Sequence, residues 1–239
     1  MEKNKKIVLK IGGSLLFDDN YIIQRKKIKK FTEIIKDSED IAAIIVGGGK
    51  LARNFIDSAR DLGADESLCD TFGIKVSRLN ARLLITALKD YAYPEPITSL
   101  EDVRAFSLWK KILVAGGFIP GQSTTSVTFE IAESVQATDV IILTNVDGVY
   151  DMDPKKNPQA KKFDEISILE LEKVIYGSTG NSQSAAGEYR IFDAVSLQIL
   201  KRNRIQVRLT NGEDFDSLRK LLVDKAFESN IGTKILRTQ

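Results

Sequence analysis

The stretch IAAIIVGGGK at positions 41–50 passes from six apolar residues directly into three glycines and a lysine. The same change occurs in IVLKIGG at 7–13 and in ILVAGG at 112–117. Short continuous apolar runs are typical of strands in a parallel sheet whose two faces are both covered by helices. The sequence therefore predicts an α/β fold in which a glycine loop follows each of these strands.

Segments with a helical period lie between the apolar runs. Residues 74–88 carry apolar side chains at 74, 76, 79, 83, 84, 87 and 88, which is the spacing of one buried helix face. The predicted strands are 7–10, 41–46, 112–115, 140–144 and 206–210. The predicted helices are 21–36, 51–62, 74–88, 124–135, 168–175, 193–203 and 216–227. This alternation predicts a mainly parallel sheet covered by helices.

The amino-acid composition of the sequence changes after residue 150. The polar stretch 151–167 and a loop rich in Gly, Ser and Asn at 177–187 separate the first predicted strands from the last ones. We interpret this as two lobes that are joined without a flexible linker.

Charge and hydropathy limit the partners that the protein can have. The chain has 239 residues with 35 basic and 33 acidic side chains, so its formal net charge is +2, without the basic excess that nucleic-acid binding requires. The basic run RKKIKK at 25–30 is interpreted as the solvent face of a helix. Apolar runs are far shorter than the roughly 18–20 residues of a membrane span, and no signal-peptide pattern is present. We expect a cytoplasmic protein with neither a nucleic-acid nor a membrane partner.

The histidine and cysteine content limits the reaction mechanisms and metal sites that the protein can have. The sequence contains no histidine and a single cysteine, Cys69. Mechanisms that depend on imidazole, histidine-ligated zinc sites, disulfide frameworks and cysteine-rich metal sites are therefore excluded. Any reaction must use lysine, arginine, carboxylates, hydroxyls or backbone amides.

Glycine loops at 12–14, 47–50 and 116–123 predict a phosphate-binding cleft. The carboxyl ends of strands in an open α/β sheet face one crevice, and a helix that begins there offers free N–H groups to an anion. Any one glycine pair could form only a tight turn. Because Gln122 stands where a P-loop has lysine, a standard P-loop NTPase is disfavoured. Because 47–50 lacks the G-x-G-x-x-G spacing, a dinucleotide-binding oxidoreductase is disfavoured as well.

Lys10 is the most informative single charge, because it ends an apolar strand and leads into Gly12 and Gly13. A lysine among glycine amides suits phosphoryl transfer, which needs positive charge on the transferring oxygens. The alternative is a strand-end lysine that reaches solvent. The loop 144–154 contains Tyr150, on which a base could stack, and is a candidate nucleotide site, although it could also be stabilised only by its own hydrogen bonds.

Four motifs spread over most of the chain are KIGGSL at 10–15, VGGGKLAR at 46–53, GGFIPGQST at 116–124 and TNVDGVYDMDP at 144–154. Together they resemble the amino-acid kinase family, and within it the archaeal uridylate (UMP) kinases. The resemblance implies one domain over residues 1–239, a three-layer α/β/α sandwich with a UMP lobe at about 1–140 and an ATP lobe at about 141–239. It also implies transfer of the γ-phosphoryl group of ATP to UMP with Mg²⁺, early in pyrimidine nucleotide synthesis, by a homohexamer built as a trimer of dimers.

The resemblance assigns roles to individual residues. Lys10 would contact the transferring phosphoryl group, and Asp139 resembles the aspartate that orients this lysine, although it could merely form a turn. The residues implied for ATP are Lys10, Gly12, Gly13, Gly49, Arg53, Thr144, Asn145, Tyr150 and Asp153. The residues implied for UMP are Gly48, Asp70, Phe118, Ile119, Pro120, Gly121, Gln122, Ser123 and Thr124. No protein side chain is expected to ligate the metal directly.

At two places the sequence differs from other members of the family, and each difference reduces the number of candidate phosphoryl acceptors. Several amino-acid kinases carry a second lysine near position 187, whereas here Arg190 is the only nearby base, which favours a nucleotide kinase over an acetylglutamate kinase. The isopentenyl phosphate kinases recognise their acceptor with histidine, which this chain lacks. The alternatives are another kinase of the family that acts on a carboxylate, carbamate or small phosphate, and a non-catalytic nucleotide- or oxyanion-binding protein that resembles the molybdenum storage proteins.

Overall fold

The computed structural model describes residues 6–152, 154, 157–177 and 191–237. Its strands are β1 (Ile7–Ile11), β2 (Ile41–Val46), β3 (Leu113–Ala115), β4 (Asp139–Thr144), β5 (Val149–Tyr150), β6 (Lys162–Phe163), β7 (Glu165–Ser167), β8 (Gln206–Asn211) and β9 (Thr233–Leu236). Its helices are α1 (Arg25–Lys36), α2 (Gly49–Asp61), α3 (Glu66–Leu88), α4 (Leu100–Phe106), α5 (Thr124–Ser134), α6 (Ile168–Gly177), α7 (Ala194–Arg202) and α8 (Phe215–Leu222).

Seven of these strands form one sheet in the order β3-β2-β1-β4-β8-β9-β7. The first five in that order are mutually parallel, β9 is antiparallel to β8, and β7 is parallel to β9. The strands β5 and β6 form a separate antiparallel ribbon. Because β1, β2, β3, β4 and β8 run in the same direction, the loops that follow them all leave the same edge of the sheet.

Helices cover both faces of the sheet. Val8 and Ile45 belong to the core between the sheet and α4, α5, α6 and α7, whereas Leu9 and Ile44 belong to the core on the opposite face, against α1, α3 and α8. Neighbouring residues of one strand point to opposite faces, so each central strand contributes to both cores. The predicted three-layer α/β/α architecture with a mainly parallel sheet is therefore confirmed.

Helix boundaries differ from the sequence prediction where the apolar pattern is weak. α3 begins at Glu66 rather than at 74. Its first two turns carry little apolar periodicity, with Cys69 as their one buried residue, and the Asp65 carboxylate caps the helix through the Leu68 N–H at 2.8 Å. α1 begins at Arg25 rather than at 21, since Tyr21 has a φ of 61° within a turn. α8 ends at Leu222 rather than at 227.

Five short elements were not predicted from the sequence, namely α4, β5, β6, β7 and β9. Each strand in this group has only two to four residues, which is too short to show a period. The basic run at 25–30 does form the solvent face of α1, with Ile28 buried beneath it. Within the described ranges, no helix has the length and apolar character needed to cross a membrane.

The packing of α5 against the sheet generates a stability prediction. Phe129 is fully buried, and its ring lies 6.2 Å from the ring of Phe192. We expect Phe129→Ala to lower the free energy of unfolding by about 3–5 kcal/mol, because a large cavity replaces the ring, and Phe129→Leu to lower it by less. Urea denaturation followed by circular dichroism measures both changes. The control is Leu62→Ala, which removes a side chain that is 89% exposed and should change stability by less than about 0.5 kcal/mol. Equal losses for Phe129→Ala and Leu62→Ala would contradict the assignment of this core.

Candidate active site

A cleft of about 220 Å³ opens at the carboxyl edge of the parallel strands. The loops after β1, β2, β3 and β4 contribute to its lining, together with the N-terminal turns of α2 and α5 and the first half of α3. The predicted site residues that line it are Lys10, Gly12, Gly13, Gly48, Gly49, Arg53, Asp70, Gln122, Ser123, Thr124, Thr144 and Asn145. The predicted convergence of three glycine loops on one cleft is confirmed.

Direct backbone contact joins the first two glycine loops. A Cβ atom on Gly13 would overlap the carbonyl oxygen of Gly47 and would lie 2.5 Å from the amide nitrogen of Gly49. Gly49 has a φ of +68°, and its Cβ would lie 2.5 Å from the amide nitrogen of Ser14. No side chain fits between the two loops, so glycine at both positions is a steric requirement.

Two helices begin at this cleft. α2 starts at Gly49 with no side chain capping its first N–H groups, and α5 starts at Thr124, where Ser123 Oγ accepts the N–H groups of Thr125 and Ser126 at 3.1 Å each. Helix N-termini carry partial positive charge and favour anions. The cleft therefore combines backbone donors with two positive helix ends, an arrangement that suits phosphate groups.

Lys10 brings a full positive charge into the cleft from β1, the middle one of the five parallel strands. It pairs in register with Ile45 of β2 and with Ile142 of β4. Because Lys10 follows Val8 by two residues, it lies on the sheet face that α5 and α7 cover. Burial lowers the pKa of the Lys10 ammonium group from 10.5 to about 8, and the negative charge of Asp193 opposes that decrease. The partly buried Lys10 thus lines the cleft together with the glycine loops.

Asp139 lies too far from Lys10 to orient it, contrary to the sequence expectation. It is the first residue of β4 and pairs with Ile7, whereas Lys10 pairs with Ile142. Three residues of strand separate the two positions, or about 10 Å. Asp139 is buried at the amino edge of the sheet, where it accepts a hydrogen bond from Thr138 Oγ1 at 2.7 Å.

Asp193 is the carboxylate whose charge acts on Lys10, and the sequence reasoning missed it. It stands immediately before α7, so the only signal in the sequence was that of a helix N-cap at the start of a predicted helix. Nothing in the local pattern indicates that this cap faces a strand more than 180 residues earlier in the chain.

Asp70 lies in the second turn of α3 and connects that helix to the loop after β3. Its Oδ2 accepts the N–H of Gly121 at 2.7 Å. Arg78, about two turns further along α3, donates to the carbonyl oxygens of Gly117 and Phe118 at 2.9 Å each. Ser77 Oγ accepts the Gly117 N–H at 2.8 Å. Neither Arg78 nor Ser77 was predicted. Together these bonds hold the loop against α3.

The predicted UMP loop is only partly in the cleft. Gln122, Ser123 and Thr124 line it, whereas residues 118–121 do not. Phe118 is buried in the core beneath α5, and the side chain of Ile119 is 60% exposed. The loop therefore borders the cleft with its second half.

The predicted ATP loop divides in the same way. Thr144 and Asn145 line the cleft, whereas Tyr150 lies on the β5–β6 ribbon, outside the lining. Its hydroxyl donates to Asp147 Oδ1 at 2.6 Å, so part of the loop is indeed held by its own hydrogen bonds. Asp153 and Arg190 lie outside the described residues.

Comparison with known proteins places this geometry in a family. Residues 5–211 match the amino acid kinase family. The uridylate kinase of Methanobrevibacter smithii is 39% identical over 233 residues, covering 97% of this chain and 99% of that protein, and the uridylate kinase of Staphylothermus marinus is 41% identical over 208 residues, covering 86% and 88%. The crystal structure of uridylate kinase from Archaeoglobus fulgidus superposes with a TM-score of 0.80 at 33% identity, covering 97% of this chain and all of the other. This chain belongs to the amino acid kinase family.

Proposed function

We propose that this protein transfers the γ-phosphoryl group of ATP to UMP, giving UDP and ADP. The observation that carries this proposal is the position of Lys10, a desolvated ammonium group among glycine amides and two helix N-termini. Relatives that align with nearly the whole chain are named uridylate kinases, which supports UMP as the acceptor.

Phosphoryl transfer requires mainly that the protein align the donor and acceptor nucleotides and place positive charge near the transferring group. Lys10 supplies that charge to the oxygens of the transferring group, over which negative charge is spread in the transition state. The N–H groups at Gly13 and Gly49 hold the phosphate chain in line with the acceptor. The N–H of Gly12 donates to the Leu143 carbonyl oxygen at 2.9 Å, so Gly12 borders the phosphates without donating to them. Arg53, which lines the same cleft from α2, supplies the second positive group that relatives obtain from a lysine.

UMP occupies the half of the cleft next to α3. The Asp70 carboxylate accepts hydrogen bonds from the ribose hydroxyls, since a carboxylate offers two oxygens with free lone pairs. Residues 118–124 and Gly48 border the uracil and the acceptor phosphate, with Thr124 at the N-terminus of α5. This assigns the UMP lobe to about 1–140.

ATP occupies the half of the cleft that Thr144 and Asn145 border, in the lobe at about 141–239. The proposed contacts are Thr144, Asn145, Tyr150 and Asp153 for the adenosine and Gly12, Gly13, Gly49 and Arg53 for the phosphates. For Tyr150 to stack on the adenine, the base must extend from the cleft over the β5–β6 ribbon.

Mg²⁺ enters with ATP. Within the described residues no three acidic, cysteine or histidine side chains cluster as a metal site, and the cleft lining includes the neutral side chains of Ser14, Thr144 and Asn145, which are not proposed to ligate the ion directly. That donor set fits an ion held mainly by phosphate oxygens and water. When bound, the ion neutralises phosphate charge, and the chain's own residues orient the nucleotides.

The cellular setting follows from the same activity. The protein works in the cytoplasm, in pyrimidine nucleotide synthesis, with its two nucleotides as small-molecule partners. A homohexamer built as a trimer of dimers is supported by exposed apolar side chains on α2 and α3, where Phe55, Leu68 and Leu79 are 47%, 48% and 63% exposed.

An ADP-release assay with Mg-ATP tests the acceptor. We expect turnover with UMP and weaker turnover with CMP or dUMP, because the acceptor half of the cleft is built around a nucleoside monophosphate. AMP, GMP, acetylglutamate, aspartate, carbamate and isopentenyl phosphate complete the panel and should give none. Turnover with a non-nucleotide alone would assign another reaction of the family, and ATP binding without turnover would favour a storage or regulatory protein.

Removal of the Lys10 charge should act on the chemical step. We expect Lys10→Ala to lower kcat by about 10²–10³-fold with little change in the KM for ATP, since the charge acts most strongly on the transition state. Steady-state kinetics with UMP measures the effect. Lys50→Ala is the matched control, because Lys50 lies beside the same loops but pairs with Asp19 outside the cleft lining, and it should stay within about twofold of the wild type. A normal kcat in Lys10→Ala would remove Lys10 from the mechanism.

Neutralisation of Asp70 should act on UMP alone. We expect Asp70→Asn to raise the KM for UMP by about 10–100-fold, because one charged acceptor of the ribose hydroxyls is lost, and to leave the KM for ATP unchanged. It should also reduce the preference for UMP over dUMP. Asp65→Asn, which alters an exposed helix cap one turn earlier, serves as the control and should change neither constant. A change confined to the KM for ATP would mean that the two halves of the cleft are assigned the wrong way round.

A further inference from the structure

A buried hydroxyl group joins the β5–β6 ribbon to the main sheet. Thr233, the first residue of β9, is fully buried. Its Oγ1 accepts the N–H of Val149 at 2.8 Å and donates to the carbonyl oxygen of Phe163. Val149 and Phe163 are partners across the ribbon, so this one side chain bonds to both strands of the ribbon at the same register position.

The backbone just before β5 packs directly against the same hydroxyl group. A Cβ atom on Gly148 would lie 2.5 Å from Thr233 Oγ1 and 2.8 Å from Cδ of Lys162 on the opposite strand. Both distances are shorter than a side chain tolerates, so glycine at this position permits the close approach. The contact between Thr233 and the ribbon is therefore tight on three sides.

Thr233 itself is held in place by the strands around it. It pairs with Leu209 of β8, to which β9 is antiparallel. On its other side β9 pairs with β7, and the N–H of Lys234 donates to the carbonyl oxygen of Asp164 at 2.9 Å. Because β9 has a strand on each side, Thr233 offers the ribbon a fixed point of attachment.

The ribbon has little else in its own strands to keep it in place. The hydroxyl of Tyr150 donates to Asp147, and the N–H of Asp151 donates to the carbonyl oxygen of Lys161 at 3.1 Å, so these bonds stay within the ribbon and the turns beside it. An isolated two-stranded hairpin is marginally stable at best in water. The position of the ribbon therefore depends on its attachment to the sheet.

The attachment controls the end of a loop that begins in the cleft. Thr144 lines the cleft, and its carbonyl oxygen accepts the N–H of Gly212 at 2.8 Å. Five residues later Thr233 binds Val149, so the chain between these points is fixed at both ends. Tyr150 is the next residue, and its place relative to the cleft follows from that second fixed point. Thr233 is outside the cleft lining.

We propose that Thr233 is a positioning residue for the nucleotide donor, which holds the β5–β6 ribbon where Tyr150 meets the adenosine of ATP. This inference rests on the proposed function, because that function places the adenosine over the ribbon. Without the hydroxyl group, the ribbon spends less time in the position that binds adenosine, and the apparent affinity for ATP falls by the same fraction. The glycine loops that meet the phosphates are not altered.

The test separates the hydroxyl group from the rest of the side chain. Thr233→Val keeps the shape of the side chain and removes both hydrogen bonds, whereas Thr233→Ser keeps the hydroxyl group. Thr32→Val is the matched control, because Thr32 is 4% exposed on α1, outside the cleft lining, and its Oγ1 donates to the carbonyl oxygen of Lys29 at 2.9 Å. Isothermal titration calorimetry gives two dissociation constants for each variant. One is the Kd of Mg-ATP, and the other is the Kd of Mg-tripolyphosphate, which has the phosphate chain without the adenosine.

In Thr233→Val the Kd of Mg-ATP should rise about tenfold, which corresponds to a ribbon in the binding position for about a tenth of the time. The Kd of Mg-tripolyphosphate should not change, because the cleft itself is intact. Thr233→Ser and Thr32→Val should reproduce both wild-type values. Steady-state kinetics should show the same separation, with a higher KM for ATP and an unchanged KM for UMP and kcat.

An unchanged Kd of Mg-ATP in folded Thr233→Val would overturn the proposal. An equal rise in both Kd values would overturn it too, because Thr233 would then support the whole cleft. If Thr233→Val does not fold, Gly148→Ala disturbs the same contact from the ribbon side and must give the same selective loss of ATP affinity. A wild type that binds Mg-ATP without phosphorylating UMP would contradict the proposed acceptor alone, and the two Kd values would still decide the role of Thr233.

Discussion

The backbone contact between the loops after β1 and β2 is the constraint on which the site depends. Gly13 and Gly49 meet so closely that neither position can hold a side chain. The contact brings the amide groups of both loops and the N-terminus of α2 to one point at the sheet edge. Because β1 is the middle one of the five parallel strands, flanked by β2 and β4, that point also receives Lys10 and the residues that follow β4. The remainder of the fold holds these strands in register.

A lysine in such a place has an electrostatic cost that the surrounding groups must offset. Water that would stabilise the ammonium group is replaced by protein, and the pKa decreases to about 8. The same desolvation strengthens the interaction of the charge with a phosphoryl group when ATP is bound. A site of this kind works only while the lysine keeps its proton.

The parts of the fold that could be predicted are those in which buried faces require a regular spacing of apolar residues. The strand at 41–46 was predicted with the bounds it has, because both of its faces are covered and every position is apolar. The first two turns of α3, which carry Asp70, were missed because Cys69 is their one buried residue and they show no apolar period. The convergence of the glycine loops was predictable because it follows from parallel topology. The contacts of Arg78 with the loop after β3 were not, since they depend on how a helix lies over the sheet.

Strand direction explains why the carboxylate whose charge acts on Lys10 is Asp193 and not Asp139. Proximity in sequence made Asp139 attractive, because it adjoins the strand that leads to Thr144 and Asn145. A parallel strand, however, carries its first and last residues to opposite edges of the sheet, so an acidic residue that begins β4 cannot serve a site at its carboxyl end. A residue that caps a helix entering from that edge can. Asp193 begins α7 at the cleft side of α5 and is tied there by Ser123 and Ser126. In a parallel α/β sheet, helix N-caps and strand C-termini therefore share one edge, which is opposite to the edge where Asp139 lies.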